Sequence, residues 1–381
     1  MNMIETAKQW LRDDVCPLWL SEGVDWKHGA FEECLSLEGK AVEMPRRVMV
    51  QARQVFSFRL ASELGCCDQS KAQQAIQLGI QSIIKNYSEP SGAFVHAVDM
   101  HGKVQNVKPD LYGQAFALFG LAQAYLLEKN LQYKMRAAEL VSYLDASRRV
   151  EGGGFSELSD KDILYQSNPH MHLFEAAVAW MEIDSDPIWK NLASEILELC
   201  LEKFIDPVSG ALAEHFNHGW SRILHDGKFM WEPGHQYEWA WLMGRYQKQT
   251  QRNLSRVREK LYSNAEAYGV NSATNAVVDE VWSDFTMKTR SSRFWPHTER
   301  VKAALQMGLE PSAAHDKAKY AKAADDSMEV LFKYFAVPHK GLWFDTWTEN
   351  GEFKIQPAKA SSLYHIIGAI YDYVKFRPLF P

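Results

Sequence analysis

Two kinds of apolar pattern alternate along the chain. Segments such as KAQQAIQLGIQSIIKN, LQYKMRAAELVSYLDAS, IWKNLASEILELCLEKF and RNLSRVREKLYSNAEA set an apolar stripe opposite charged residues, the pattern of a helix with one face in water. Between them lie helical runs with small residues on one face: Gly113, Ala117 and Ala124, then Ala176 and Ala179, Ala240 and Gly244, Gly368 and Ala369. Small side chains let neighbouring helices crowd together, so this second kind is expected inside. Each inner run is announced by a proline. Pro45, Pro109, Pro169, Pro233, Pro296 and Pro357 are separated by 64, 60, 64, 63 and 61 residues, and a fixed period of this kind defines a repeat architecture. Proline belongs in the first turn of a helix, where its missing N–H costs nothing, so each is expected to open an inner helix.

Before each proline lies a glycine-containing stretch: GAFEECLSLEGKAVEM, GAFVHAVDMHGKVQNVK, GGGFSELSDKDILYQSN, GALAEHFNHGW, GVNSATNAVVDEVW and GLWFDTWTENGEFKI. Alternating runs around a glycine turn in LSLEGKAVE, VDMHGKVQ and WTENGEFKI predict short hairpins; the third, fourth and fifth stretches are less regular. Counting residues from about 3 to 20 as the first outer segment gives six outer and six inner helices. The expectation is an all-α closed ring, a single domain spanning residues 1–381. In such a ring the inner helices run one way, so their N-termini and the hairpins gather at one mouth. Free backbone N–H groups and the positive helix ends there suit an oxygen-rich ligand.

Composition narrows the ligand. Hydrophobic residues make up 46% and charged residues 24%, with a net charge of -6, ordinary for a globular chain. Lys and Arg form no stripe interleaved with aromatics, which argues against a nucleic-acid groove, and no run reaches membrane-spanning length. The opening MNMIETAKQWLRDDV contains acids and amides where a secretory signal needs a basic start and an unbroken apolar stretch. Cys16, Cys34, Cys66, Cys67 and Cys200 are odd in number and lack C-x-x-C spacing, against a disulfide framework or a zinc knuckle. A cytoplasmic location follows as the expectation. Most of the 13 Trp are assigned to packing.

The inner helix starts concentrate polar side chains: PRRVMVQARQ, PDLYGQ, PHMHLFEA, PGHQYEWAW, PHTERVKA and PAKASSLYHIIGA. Arg46 and Arg53, seven apart, share a helix face. Arg53 and His365 both lie eight residues beyond their prolines, so they are expected to meet at the same depth. His170 and His172 are two apart and point different ways; spacing does not choose between them. Asp110 and Asn168 fit helix caps, Arg46 and Arg47 fit hairpin ion pairs, and His297, Tyr112 and Trp295 fit either packing or a site. Glu232, His235 and Glu238 recur every three residues, a metal-ligand spacing weakened because Glu232 precedes the proline. The sequence contains no phosphate-binding G-x-x-x-x-G-K-[ST] loop and no G-x-S-x-G elbow. Imidazole, carboxylate and guanidinium remain, a metal-free acid–base set.

NPHMHLFEA at Asn168 to Ala176, EPGHQYEWAWL at Glu232 to Leu242, FWPHTERVKA at Phe294 to Ala303 and RVMVQARQVF at Arg47 to Phe56 resemble the N-acylglucosamine 2-epimerase superfamily across nearly the whole chain. The resemblance implies an (α/α)6 barrel that works on sugars without a cofactor. It implies His235 and His365 as the acid–base pair, with Arg53, Tyr112, Asn168, His172 and Glu238 lining the sugar site; Trp295 is added from its place beside the helix start. His172, not His170, is then the site member of its motif. The expected reaction is aldose–ketose isomerisation of free D-mannose and D-fructose, because the chain is compact and lacks an evident extension for a second sugar. His365 would move the C2 proton through a cis-enediol, Arg53 would face the oxyanion, and His235, held by Glu238, would assist ring opening. Sugar 2-epimerisation uses the same intermediate and is the alternative. A more distant one is an inverting glycoside hydrolase drawing two carboxylates from Asp110, Glu175, Glu238 and Glu299. Neither a nucleic acid nor a membrane is expected as a partner, and homo-oligomerisation is compatible with the sequence.

Overall fold

The computed structural model describes residues 2–157, 165–310 and 315–381. Helix α1 (Met3–Trp10) continues through a π turn (Leu11–Val15) into α2 (Cys16–Ser21), and together these form the first outer segment. The remaining outer helices are α4 (Gln69–Ser82), α6 (Leu131–Ser147), α8 (Pro187–Leu199), α10 (Ser255–Tyr268) and α12 (Lys317–Tyr334). The inner helices are α3 (Val48–Glu63), α5 (Leu111–Glu128), α7 (Ser167–Met181), α9 (Pro233–Thr250), α11 (Trp295–Gly308) and α13 (Leu363–Phe376).

Packing follows the two sequence patterns. Outer α8 buries Trp189, Leu192, Ala193, Ile196 and Leu197, a single stripe, whereas inner α5 buries an unbroken run from Gly113 to Ala124. Each inner helix packs on the next, α3 on α5 and so on to α13, which returns to α3; each outer helix packs on the inner one before it, with α1 on α13. The chain is an (α/α)6 barrel. The small residues are needed where helices cross: a Cβ on Gly120 would lie 2.8 Å from the Ala52 Cβ, so α3 and α5 meet nearly backbone to backbone.

The short strands lie just before the inner helices, and their pairing differs from the sequence expectation. Local hairpin contacts do form, as in the Leu35–Ala41 and Trp347–Phe353 bridges and the pairing of β5 (Ala97–Val98) with β6 (Val104–Asn106). The other pairs mostly join neighbouring repeats: β4 (Arg46–Arg47) with β5, β7 (Tyr165–Gln166) with β8 (His215–Phe216), β9 (Met230–Trp231) with β10 (Val281–Trp282), and β11 (Ser292–Arg293) with β12 (Thr346–Trp347). The ring closes when β13 (Ala358–Lys359) pairs with β3 (Cys34–Leu35). Part of the third expected hairpin, residues 158–164, lies outside the described residues.

The proline expectation needs correction in three repeats. Pro169, Pro233 and Pro296 lie in the first helical turn, but Pro45, Pro109 and Pro357 precede their helices, which begin at Val48, Leu111 and Leu363. Pro45 and Pro357 stand just outside β4 and β13, where a missing N–H is tolerated because no ladder bond is needed. The five cysteines are free thiols, and among the described residues no helix is long and apolar enough to cross a membrane.

Candidate active site

The inner helix starts surround a cavity of about 420 Å³ lined by Arg53, Tyr112, Asn168, His172, His235, Glu238, Trp295 and His365. All eight site residues expected from sequence therefore meet. Arg47, Glu232, Arg293, Asp345, Lys359 and Ser361 also contribute to its wall.

Arg53 reaches the cavity from the second turn of α3. Its guanidinium donates to the Tyr112 hydroxyl at 2.6 Å and the Ser361 carbonyl at 3.1 Å, and stacks 4.1 Å from the Phe116 ring centroid. Asn168 Oδ1, Arg53 Nε and Glu238 Oε1 are buried and find no hydrogen-bond partner within the chain. Buried polar atoms are nearly always paired, so three unpaired ones on residues that line a single cavity point to a place where a polar ligand binds. Trp295 supplies an aromatic wall between two imidazoles, its ring 5.1 Å from that of His235 and 5.7 Å from that of His365. Gly234 makes room for it: an added Cβ would meet the Trp295 ring at 2.5 Å.

Three imidazoles line the cavity, and each has a glutamate at Nδ1. His172 Nδ1 lies 3.0 Å from Glu175 Oε2, His235 Nδ1 3.0 Å from Glu214 Oε2, and His365 Nδ1 2.8 Å from Glu299 Oε1. The His235 contact is an ion pair lying off the line of a good hydrogen bond. A carboxylate at Nδ1 leaves Nε2 as the exchanging nitrogen. The expected partner of His235 was Glu238; the structure corrects this to Glu214, which the fourth hairpin segment delivers and the Ser167 hydroxyl holds at 2.7 Å. Spacing along a helix did not reveal it because Glu214 lies outside the helix, 21 positions before His235 in the loop that leads into it.

The three pairs do not share a charge state. Burial disfavours the imidazolium of His235, but Glu214 and Glu232 outweigh it and raise its pKa to about 9. At His365 burial wins over Glu299 and lowers the pKa to about 4, with Arg53 and Lys302 acting in the same direction. His172 is likewise lowered by burial to about 4, against the pull of Glu175. Near neutral pH the cavity thus holds one imidazolium and two neutral imidazoles. Burial and the neighbouring Glu299 push the Glu238 pKa well above the ordinary carboxylate value.

His170 and His297 lie outside this set. His170 Nε2 accepts the Phe155 backbone N–H at 3.0 Å and Nδ1 contacts the Gln166 carbonyl at 2.8 Å. His297 treats the Val277 N–H in the same way at 2.9 Å. In the first two repeats Gln51 and Gln114 accept the Phe31 and Phe94 N–H groups, both at 2.8 Å. These four side chains clamp loops to inner helices. Asp110 caps α5 through the Gly113 N–H at 3.0 Å, and Arg46 and Arg47 form ion pairs with Asp25, Glu32 and Glu33, as expected from sequence.

Two groups, His172–Glu175–Glu238 and Glu238–Glu299–His365, place donor atoms within 4.8 Å of one another. The Lys302 ammonium already stands 2.5 Å from Glu299 Oε2, and its charge opposes a divalent cation beside that carboxylate. Glu232, His235 and Glu238, the triplet singled out by spacing, do not converge as one of these groups.

A cavity at the mouth of an (α/α)6 barrel, rimmed by an aromatic wall, unpaired polar atoms and imidazole–carboxylate pairs, defines a carbohydrate-active enzyme of the epimerase and isomerase class. Residues 29–369 match the family described as N-acylglucosamine 2-epimerase (GlcNAc 2-epimerase); the chain belongs to this family. It is 34% identical over 368 residues to the mannose-6-phosphate isomerase of Rhizobium meliloti (strain 1021), covering 95% of this chain and 94% of that one. It is 24% identical over 303 residues to the D-mannose isomerase of Pseudomonas cannabina pv. alisalensis, covering 73% and 71%. Among solved structures, the cellobiose 2-epimerase of Bacillus thermoamylovorans B4167 superposes with a TM-score of 0.87 at 17% identity, over 98% of this chain and 100% of that one.

Proposed function

We propose that the barrel acts as one catalytic unit, an aldose–ketose isomerase that interconverts free D-mannose and D-fructose. The opposite protonation of His235 and His365 around one cavity is the observation that supports this reading. His235, an imidazolium, donates to the ring oxygen and takes up the anomeric O1 proton as the pyranose opens. His365 Nε2 then takes the C2 proton; the C2–H electrons form the C1–C2 double bond, the carbonyl π electrons move to O1, and O1 takes a proton from His235 to give the cis-enediol. His235 takes the O2 proton as C2 becomes the carbonyl, and the C1–C2 π electrons take the proton back from His365 at C1, which yields the ketose and restores both imidazoles. Arg53 faces the oxygen on which charge develops, where a fixed cation in a dry site lowers the barrier.

A volume of about 420 Å³ lies toward the small end of ligand cavities, roughly 300–1,000 Å³, and supports a monosaccharide. At the mouth Arg47 is engaged by Glu33, Arg293 by Glu232 and Asp279, and Lys359 by Asp345. These pairings favour an unphosphorylated sugar, although a relative is named for the 6-phosphate. His172, a second neutral imidazole, favours 2-epimerisation as the alternative, because it offers another acceptor in the same cavity. The hydrolase reading lacks a free carboxylate pair: Glu175 and Glu299 are tied to imidazoles and Asp110 to a helix cap.

The test is incubation with mannose, mannose 6-phosphate and glucose in heavy water, followed by NMR. Fructose formed from free mannose, with deuterium entering the sugar, is expected. Glucose accumulating from mannose without ketose supports the epimerase, and turnover confined to the phosphate ester overturns the free-sugar assignment.

A further inference from the structure

Beneath the cavity lies a group that the reaction above does not use. Lys302 is 3% exposed, and its ammonium sits 2.5 Å from Glu299 Oε2 and 4.1 Å from the Trp241 ring centroid. Glu299 is therefore shared: Oε1 pairs with His365 Nδ1 in a hydrogen bond, and Oε2 meets the Lys302 ammonium in an ion pair lying off the line of a good hydrogen bond. Two further buried carboxyl groups, Glu175 and Glu238, act on the same ammonium. A buried lysine surrounded by low-dielectric packing would normally lose its proton; these carboxylates outweigh burial and keep it charged.

We propose that Lys302 is a positioning residue that keeps His365 available as a proton acceptor by occupying the second oxygen of Glu299 and setting a fixed positive charge beneath the imidazole. The proposal rests on His365 being the base of the reaction described above. The His235 pair shows what happens otherwise. His235 meets two carboxylates, Glu214 and Glu232, with no lysine among its principal influences, and it holds a proton. His365 also meets a carboxylate, but burial prevails there, Arg53 and Lys302 add positive charge in the same direction, and it stays neutral.

The charged and titratable groups acting on Lys302 come from its own helix and three others. Glu299 lies on its own helix α11, Glu238 on α9, Glu175 on α7, and Tyr364 and Asp372 on α13. Around His365 the corresponding set is Glu299, Glu238, Arg53 of α3 and Lys302. Replacing Lys302 by a neutral residue removes the cation nearest to Glu299, so that carboxylate acts on His365 alone and stabilises the imidazolium. A neighbouring charge moves a pKa by about one to three pH units.

The test is an NMR titration of the full-length protein carrying 13C-labelled histidine, with the His365 signal assigned by its loss in His365→Asn. Lys302→Met is expected to raise the His365 midpoint by at least about one pH unit, and to move the acidic limb of the kcat/KM profile with it. Lys302→Arg preserves the charge and is expected to leave the midpoint in place. Lys302→Gln gives the same readout as Lys302→Met should the latter fail to fold, as judged by its melting curve. An unmoved His365 midpoint in a folded neutral variant overturns the proposal. The titration needs no substrate, so absence of mannose turnover by the unaltered protein would sink the functional assignment while leaving Lys302 decided by the midpoint.

Discussion

The two walls of the cavity use the same pair of side chains and arrive at opposite charges. At the His235 wall the carboxylates are borne by the chain entering α9: Glu214 precedes β8 and Glu232 immediately precedes the helix. At the His365 wall the carboxylate rises from the middle of α11 with Lys302 one turn further on. Both imidazoles are buried and both contact a glutamate at Nδ1, so those two features alone do not separate them. At His235 a further carboxylate helps Glu214 outweigh burial; at His365 burial prevails over Glu299, and two cations add to it. An imidazole–carboxylate pair is thus read as acid or base only after its next neighbours are counted.

The strongest challenge to this division is to remove the base. His365→Asn should lower kcat for mannose isomerisation by about 10²–10⁴-fold, the usual contribution of a positioned acid–base group, while the melting temperature changes little; a variant retaining most of its activity would move the base elsewhere. Next comes the wall that holds the acid. Glu214→Gln removes the main carboxylate acting on His235, whose pKa of about 9 should fall, drawing the basic limb of kcat/KM down by about one pH unit or more. If that limb stays in place, the limb belongs to another group.

The unaltered protein should show both walls in one profile. His365 accepts a proton only when neutral, so kcat/KM should rise as pH increases through about 4. His235 donates only when protonated, so it should fall as pH passes about 9, leaving a broad plateau between. A narrow bell centred near pH 6.5 would show that the two environments are not distinct. The smallest effect on chemistry is expected at His170, which lies outside both walls. His170→Ala leaves the Phe155 N–H without its acceptor and should cost about 1–3 kcal/mol of stability, measured by denaturant unfolding, with KM for mannose unchanged.

The ring, its mouth and the polar inventory around it were legible because a repeat imposes the same helix direction six times. His365 and Arg53 were placed together from equal offsets, and both line the cavity. Proline was a less regular marker: in the first and last repeats a strand intervenes before the helix, so the prolines mark the entry to the mouth in every repeat and the helix start in only three. The clamp positions offer a second register that is also imperfect. Gln51, Gln114, His170 and His297 each accept an N–H from the residue just after the Ala or Gly of the preceding loop, Phe31, Phe94, Phe155 and Val277. Three of these pairs are 20 residues apart and the His170 pair 15, so aligning on that small–apolar step does not by itself separate His170 from His172. Glu214 and Lys302 were beyond reach, since one acts from a loop outside the helix of its partner and the other is buried away from the cavity wall. Their effects depend on distances that no sequence spacing encodes.

The seam between the last inner helix and the first sets an order of events during synthesis. Arg53 and Gln54 donate to the carbonyls of Ser361 and Ala360, partners 308 and 306 positions away, and the Ala360 N–H returns to Glu33 at 2.8 Å. Five repeats can leave the ribosome and pack on one another before any of these bonds exists. Until the sixth arrives, Arg53 has no Ser361 carbonyl to hold it and the cavity has no His365. On the proposed assignment a chain lacking the sixth repeat should be inactive, and activity should appear only once the final helix docks.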